Sequence, residues 1–379
     1  MLPRLAFLVS FIVLGLPGTR SVLAQGANLP WGASSDSLAW GTFTQVVAPS
    51  VNPSTPGVEF ETWASDSDIY RTSPPQWPTA GSPKVLQISA LGASHLRRGL
   101  MPQVIAPSEC LQAYNKQAAA AAGFPADGCI GEEVRRNWAS FRYIVSNTLY
   151  SIAGLKAAYA SGLLVNLPAD AIEVKGDWAR VEDVENWLHI SEPQVRSNYY
   201  VNKATAAGKT TEYALLAFHF STKQIKNWVW ADFENQLNPG RCDDIGCHDS
   251  FGAAIADVRA LTPANQQYGE CQKSPALQLM FDNAGLNKVW ANYCLKGSQI
   301  SFLGADGSVL LLGNSVIERI NAGVPVKQSS CITCHAYASF DKDGQTNGPP
   351  DPPPVGIVDQ SKLKDLATND FIWGNLFAQ

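Results

Sequence analysis

The chain is short of charge, methionine and histidine, and each shortage narrows what it can be. Only 16% of its 379 residues are charged, and the net charge is −5. No basic run could neutralise successive phosphates, which argues against a nucleic-acid partner. No apolar run reaches the roughly 20 residues that a comfortable membrane span needs. The three methionines are Met1, Met101 and Met280, and the five histidines are His95, His189, His219, His248 and His335. There is no internal repeat, and no familiar catalytic constellation is spelled out.

What is present begins at the N-terminus. Arg4 precedes the run LAFLVSFIVLGL, and SVLA precedes Gln25. A positive end, a short apolar stretch and small residues at a cut site predict a cleaved export signal over residues 1–24, rather than a retained anchor. No Cys follows the cut, so no lipoprotein is expected. The mature protein is expected to be periplasmic or secreted and not an integral membrane protein. Arg4 and Arg20 would leave with the signal, making it more acidic than the full chain. Its 45% hydrophobic residues and 11 tryptophans suit a compact globule.

The patterns predict a mixed α+β fold with antiparallel strands, one long helix and a C-terminal attachment segment. Residues 25–330 are read as one large domain, and residues 331–379 as the segment and a tail packed on it. Residues 25–58 read as mostly irregular, with a short helix around Leu38 to Val47. PKVLQI (83–88) reads as a strand, and a helix is expected from Ser108 through Cys110 to Ala122, stopped by Gly123. Residues 133–161 predict the long helix, with Val134, Trp138, Phe141, Val145, Leu149 and Ile152 as one buried stripe. Glu132 and Glu133 would sit at its positive end, and Gly162 would end it. Residues 171–181, 211–223 and 227–235 read as strands, the last two as a hairpin. Ala214, Leu216, Phe218 and Phe220 are expected on one face of the second strand, with Tyr213, Leu215, Ala217 and His219 on the other. Asp306-Gly307 predicts a hairpin turn. Ser315 and Glu318 predict a capping box for a helix to about Asn321. A Pro-rich loop (343–355) leads to a last helix and a docking strand.

QSSCITCHAYASF (328–340) carries the chemistry. Cys331, Cys334 and His335 spell C-x-x-C-H. Two thiols three positions apart on one helical turn can reach the two vinyl groups of one haem, and the next residue can bind the iron. One covalent haem c is therefore expected, with Cys331 and Cys334 as attachment points and His335 as proximal ligand. Competing readings are a Cys331–Cys334 disulfide, or a zinc site that would need further ligands. Only 44 residues follow His335, with no Met and no His among them. A sixth ligand must come from upstream: Met101, Met280, His95, His189, His219 or His248. A five-coordinate iron is the other possibility.

The six remaining cysteines suggest oxidised pairs in an exported protein. Proximity gives Cys110 with Cys129, Cys242 with Cys247, and Cys271 with Cys294, out of 15 connectivities. Cys242, Cys247 and His248 also spell a stretched C-x-x-x-x-C-H. The turn residues Pro239, Gly240, Asp243, Asp244 and Gly246 favour a disulfide loop there, with a second haem or a metal site as alternatives.

The segments RNWASFRYIVSNTLY, AIEVKGDW, LLAFHFSTKQIKNWVWADFEN and SSCITCHAYAS run in order over residues 130–340. On these the chain resembles a poorly characterised group of exported bacterial cytochrome c family proteins. The matching residues are Asn137, Glu173, Lys175, His219, Trp230, Glu234, Cys331, Cys334 and His335. The resemblance implies an exported haem protein. Glu173 and Lys175 share a strand face and read as a structural ion pair or an acid/base dyad. His219 reads as a structural histidine, or as the distal group if an adjacent strand carries Glu234 to the haem edge. A distal His beside a carboxylate could move protons. His219, Glu234, Glu173 and Lys175 are thus the catalytic candidates.

Two functions follow. One is electron transfer with a periplasmic redox partner. The other is a haem enzyme, oxidase or peroxidase-like, or a small-gas binder with an open distal face. An electron carrier needs only about 100 residues, and the far larger chain favours the second more than usual.

Overall fold

A computed structural model describes residues 29, 33–50, 57–79, 115–206, 209–346 and 348–379. The expected signal, the strand at 83–88, Met101, His95 and Cys110 lie outside the described residues. A seven-stranded antiparallel sheet forms the centre. Its strands are β1 (Ala64–Ser65), β2 (Ile130–Arg136), β3 (Ile172–Arg180), β4 (Val201–Ala206), β5 (Lys209–Thr222), β6 (Val229–Asn235) and β7 (Tyr293–Gln299). Their order is β1-β2-β3-β5-β6-β7, with β4 pairing the first half of β5. The mixed α+β class and the β5–β6 hairpin are as expected.

One face of this sheet is dry and aromatic. Phe218, Phe220 and Phe233 meet Trp40 and Phe43 of α1 (Ser35–Val46), with Trp290 and Phe281 beside them. Ring centroids lie 4.8 Å apart for Phe43 and Phe233, and 5.4 Å for Phe218 and Phe233. Met280 packs on this cluster, so it is a core residue and no ligand for the opposite face. The other face carries Glu132, Val134 and Arg136 of β2, then Glu173 and Lys175, His219 and Ser221, and Trp230 and Asp232. Backbone register aligns Val134, Lys175, His219, Asp232 and Gly297 in one row across five strands.

The long helix is not formed. Residues 130–136 are strand β2, and two helices follow, α2 (Trp138–Ser146) and α3 (Ile152–Ser161). Asn137 caps α2, its Oδ1 accepting from Ser140 N and also from Ile172 N, which ties the helix start to β3. Thr148 takes φ 54°, and Ser151 recaps the chain by accepting from Gly154 N. Gly162, in the left-handed region, ends α3 as expected. Glu132 and Glu133 are strand residues, paired with Lys175 and Arg135. Trp138, expected in a buried stripe, is 52% exposed.

Alternation on β5 also breaks. Asp177 faces Ala217, but Trp178 faces Leu215, so Leu216 is an extra residue. This bulge puts Tyr213 and Leu215 with Phe218 and Phe220, and Ala214 and Leu216 in a separate cluster. A bulge re-aims the strand in this way because side-chain period is two.

The segment 331–379 shares a core with α2 and α3 through Ile332, Phe340, Ile372 and Phe377. Its docking strand is Ala367–Thr368, paired with Ser339–Phe340, and the last helix is only the short turn Gln360–Leu363. The Asp306-Gly307 turn forms, but its flanks pair only at Leu303 and Val309.

Candidate functional site

The polar sheet face is the floor of a cleft. The helix Ser315–Ala322, the motif helix Cys331–Ala336, residues Trp373–Phe377 and Pro349 and Pro353 stand over it. Gly374 permits this closure: a Cβ there would come within 2.6 Å of Arg136 Nη2.

The helix at 315–322 is wide. Arg319 N bonds Asn314 O, and Gly323 N bonds Glu318 O, both i+5 to i. Asn314, not Ser315, is the cap; its Oδ1 accepts from Val316 and Ile317. Ser315 instead donates its N–H and hydroxyl to Glu234. This corrects the expected role of Glu234. It is fully buried, it serves to anchor that helix, and it does not line the cleft.

The expected Glu173–Lys175 pair is also corrected. Glu173 lies 3.3 Å from Arg136 Nε and accepts from Ser140 Oγ; Lys175 Nζ lies 2.6 Å from Glu132. Both line the cleft, but each is partnered by β2. Arg136 also pairs with Asp66.

His219 is the one upstream sixth-ligand candidate among the described residues that reaches the cleft. His189 is the left-handed terminus of the helix Val181–Leu188, and His248 is exposed on the short strand Cys247–His248, paired with Asp257. His219 Nδ1 lies 3.3 Å from Asp232 Oδ1 and 3.9 Å from Glu318 Oε1. Burial alone would lower its pKa, but the two carboxylates outweigh this and raise it. Burial, then Asp232, pushes Glu318 up to about 7; burial, then Glu132, pushes Asp177 up to about 8.

Cys331 and Cys334 are free thiols on the cleft wall. Burial drives Cys331 well above the usual thiol range and Cys334 up to about 12. Thiols held protonated are poor nucleophiles, which disfavours a redox dithiol here. His335 follows on the same helix. Its Nδ1 lies 2.8 Å from Phe371 O, and its ring lies 4.5 Å from that of Trp230. Burial lowers its pKa to about 3. A neutral ring held at Nδ1 by a carbonyl offers Nε2 to a metal. Donor atoms of His219, Glu318 and Cys331 also lie within 4.8 Å of one another, a set able to hold a small transition-metal ion.

Three buried polar atoms around the cleft lack a hydrogen-bond partner: Asp177 Oδ1, Asn321 Oδ1 and Trp373 Nε1. Such atoms are rare in proteins and expensive. Their concentration here suits a site that takes a polar or charged guest. Sequence reading missed Asp177, Asp232, Glu318 and Glu132. Asp177 and Asp232 were within reach, because each stands two residues from a flagged position on the same strand face.

No family model, curated protein or solved structure matches the chain. No helix among the described residues is long and apolar enough to cross a membrane.

Proposed function

We propose that the chain is an exported c-type haem protein whose one covalent haem occupies the cleft and transfers electrons to a periplasmic partner. One observation carries this reading. Two free thiols on one helical turn and a neutral His335 with its Nδ1 engaged all open onto the same cleft. Cys331 and Cys334 would hold the group by thioether bonds, and His335 would bind its iron. The bound group supplies one-electron chemistry. The residues themselves position it: Phe371 O orients the imidazole, and Trp230 and Trp373 wall off water. The disulfides Cys242–Cys247 and Cys271–Cys294 support an oxidising compartment. The resemblance noted from the sequence supports the same class.

A second reading, redox chemistry on a small molecule, is favoured by the acid/base set at the cleft. His219, Glu318, Lys175 and Glu132 could hold or move a proton there.

The test is intact-mass measurement after expression in a host that attaches haem. A mass increase of one haem, lost in Cys331→Ser and Cys334→Ser together, is the expected result. A bare polypeptide carrying a stoichiometric metal ion would instead favour the His219–Glu318–Cys331 set. In the holoprotein, a low-spin spectrum indifferent to carbon monoxide fits electron transfer. A high-spin spectrum that responds to it moves the assignment to the second reading.

A further inference from the structure

A second cavity lies away from the cleft and brings two disulfides together. Cys247 and Cys271 line it, with Arg241 and Lys273 beside them. Arg241 is 2% exposed, and its Nη1 lies 3.1 Å from Cys242 Sγ and 3.6 Å from Cys247 Sγ. Lys273 Nζ lies 2.8 Å from Cys271 Sγ and also donates to Cys271 O and Tyr293 O. Among the described residues neither cation has a carboxylate within ion-pair distance, and Arg241 Nε has no hydrogen-bond partner. Glu234 and Asp249 act on them only from farther off.

A buried cation normally faces a full counter-charge. A disulfide sulfur is neutral and a weak acceptor. A thiolate in its place would complete the pair. A cation beside a sulfur lowers that thiol's pKa and makes it a better leaving group. The environment around Cys242–Cys247 therefore suits the reduced state better than the oxidised one. Burial depresses the pKa of Arg241, as expected of a cation without a full counter-charge.

We infer that Cys242–Cys247 is a site of thiol–disulfide exchange with an external dithiol, with Arg241 positioned to receive the leaving thiolate. The reductant's thiolate attacks Cys247 Sγ, which lines the cavity. The sulfur–sulfur bond breaks, and its electron pair leaves on Cys242 Sγ beside Arg241. The reductant's second thiol then displaces Cys247, which takes up a proton. The dithiol is oxidised to its disulfide, and the protein gains two thiols. This site does not depend on the haem assignment.

The experiment uses the folded full-length protein in dithiothreitol redox buffers, with alkylation and peptide mass spectrometry as the readout. Cys242 and Cys247 should be labelled together with tryptophan fluorescence unchanged. The reduction equilibrium constant should be at least tenfold more favourable than that of the disulfide formed by Cys129. Arg241→Gln should remove that advantage. In the reduced wild type, the labelling rate of Cys242 should titrate below the free-thiol value of about 8.5, and this arm needs no variant to fold. Labelling no easier than at Cys129, labelling only with unfolding, or a titration at or above 8.5 would overturn the proposal. So would a folded Arg241→Gln protein that behaves like the wild type.

Discussion

The two faces of the central sheet are built from the same strands in the same register, yet they do opposite work. On one, Phe218, Phe220 and Phe233 pack against Trp40 and Phe43 of α1 in a mostly apolar layer. On the other, Glu173, Lys175, His219 and Asp232 stand where hydrophobic residues would stabilise more. Buried ion pairs barely recover their desolvation cost. Orphaned atoms such as Asp177 Oδ1 recover none of it. The aromatic face thus supplies the free energy that lets the polar face stay unsatisfied, and a site can exist where folding alone would not place one.

Substitutions on each face sharpen this contrast. Phe218→Ala should cost about 3–5 kcal/mol in urea denaturation while leaving any haem spectrum in place. A cost below about 1 kcal/mol would mean the aromatic face is not the stabilising one. Asp177→Asn should stabilise at pH 8, on the order of 2 kcal/mol, with little change at pH 4. The native state holds a proton on Asp177 that the unfolded chain releases near pH 4, so the wild type loses stability as pH rises from about 4 towards 8. Melting curves of both proteins across that window give the difference, and parallel curves would remove Asp177 from the account. Glu132→Gln strips Lys175 of its partner; because Lys175 is partly solvated, the loss should be about 1 kcal/mol. Thr333→Val removes the hydrogen bond to Gly356 O, and the same loss of about 1 kcal/mol or less should appear in thermal melts. His219→Ala leaves the buried Asp232 without its partner and should destabilise; it should also shift the holoprotein spectrum if His219 meets the iron. An identical spectrum would return it to a structural role.

The strands β3, β5 and β6 were legible because their apolar residues alternate against an aromatic layer. β2 was not: its charged residues are buried in ion pairs, and I-G-E-E-V-R-R then reads like a helix surface. The break after Asn137 was hidden for the same reason, since its cap accepts from a strand remote in sequence. The bulge at Leu216 leaves no mark in composition, because Leu216 is as apolar as its neighbours. At the site, Cys331, Cys334 and His335 announced themselves by spacing, whereas Glu318 looked like an ordinary cap. Its place over His219 depends on a hydrogen-bond pattern of the helix that residue types alone do not specify.

That wide helix has a consequence for how the chain can tolerate change. An i+5 turn holds one more residue than a regular turn needs, so a single deletion between Ser315 and Ala322 need not unravel the helix. It would let the helix relax to ordinary pitch and rotate Glu318 away from His219. In a scan of one-residue deletions, this stretch should stand apart: variants that remain soluble and folded, yet have lost the carboxylate over the cleft. Length, as much as identity, is therefore under constraint here, and homologous chains that keep the site should keep the number of residues between Asn314 and Gly323.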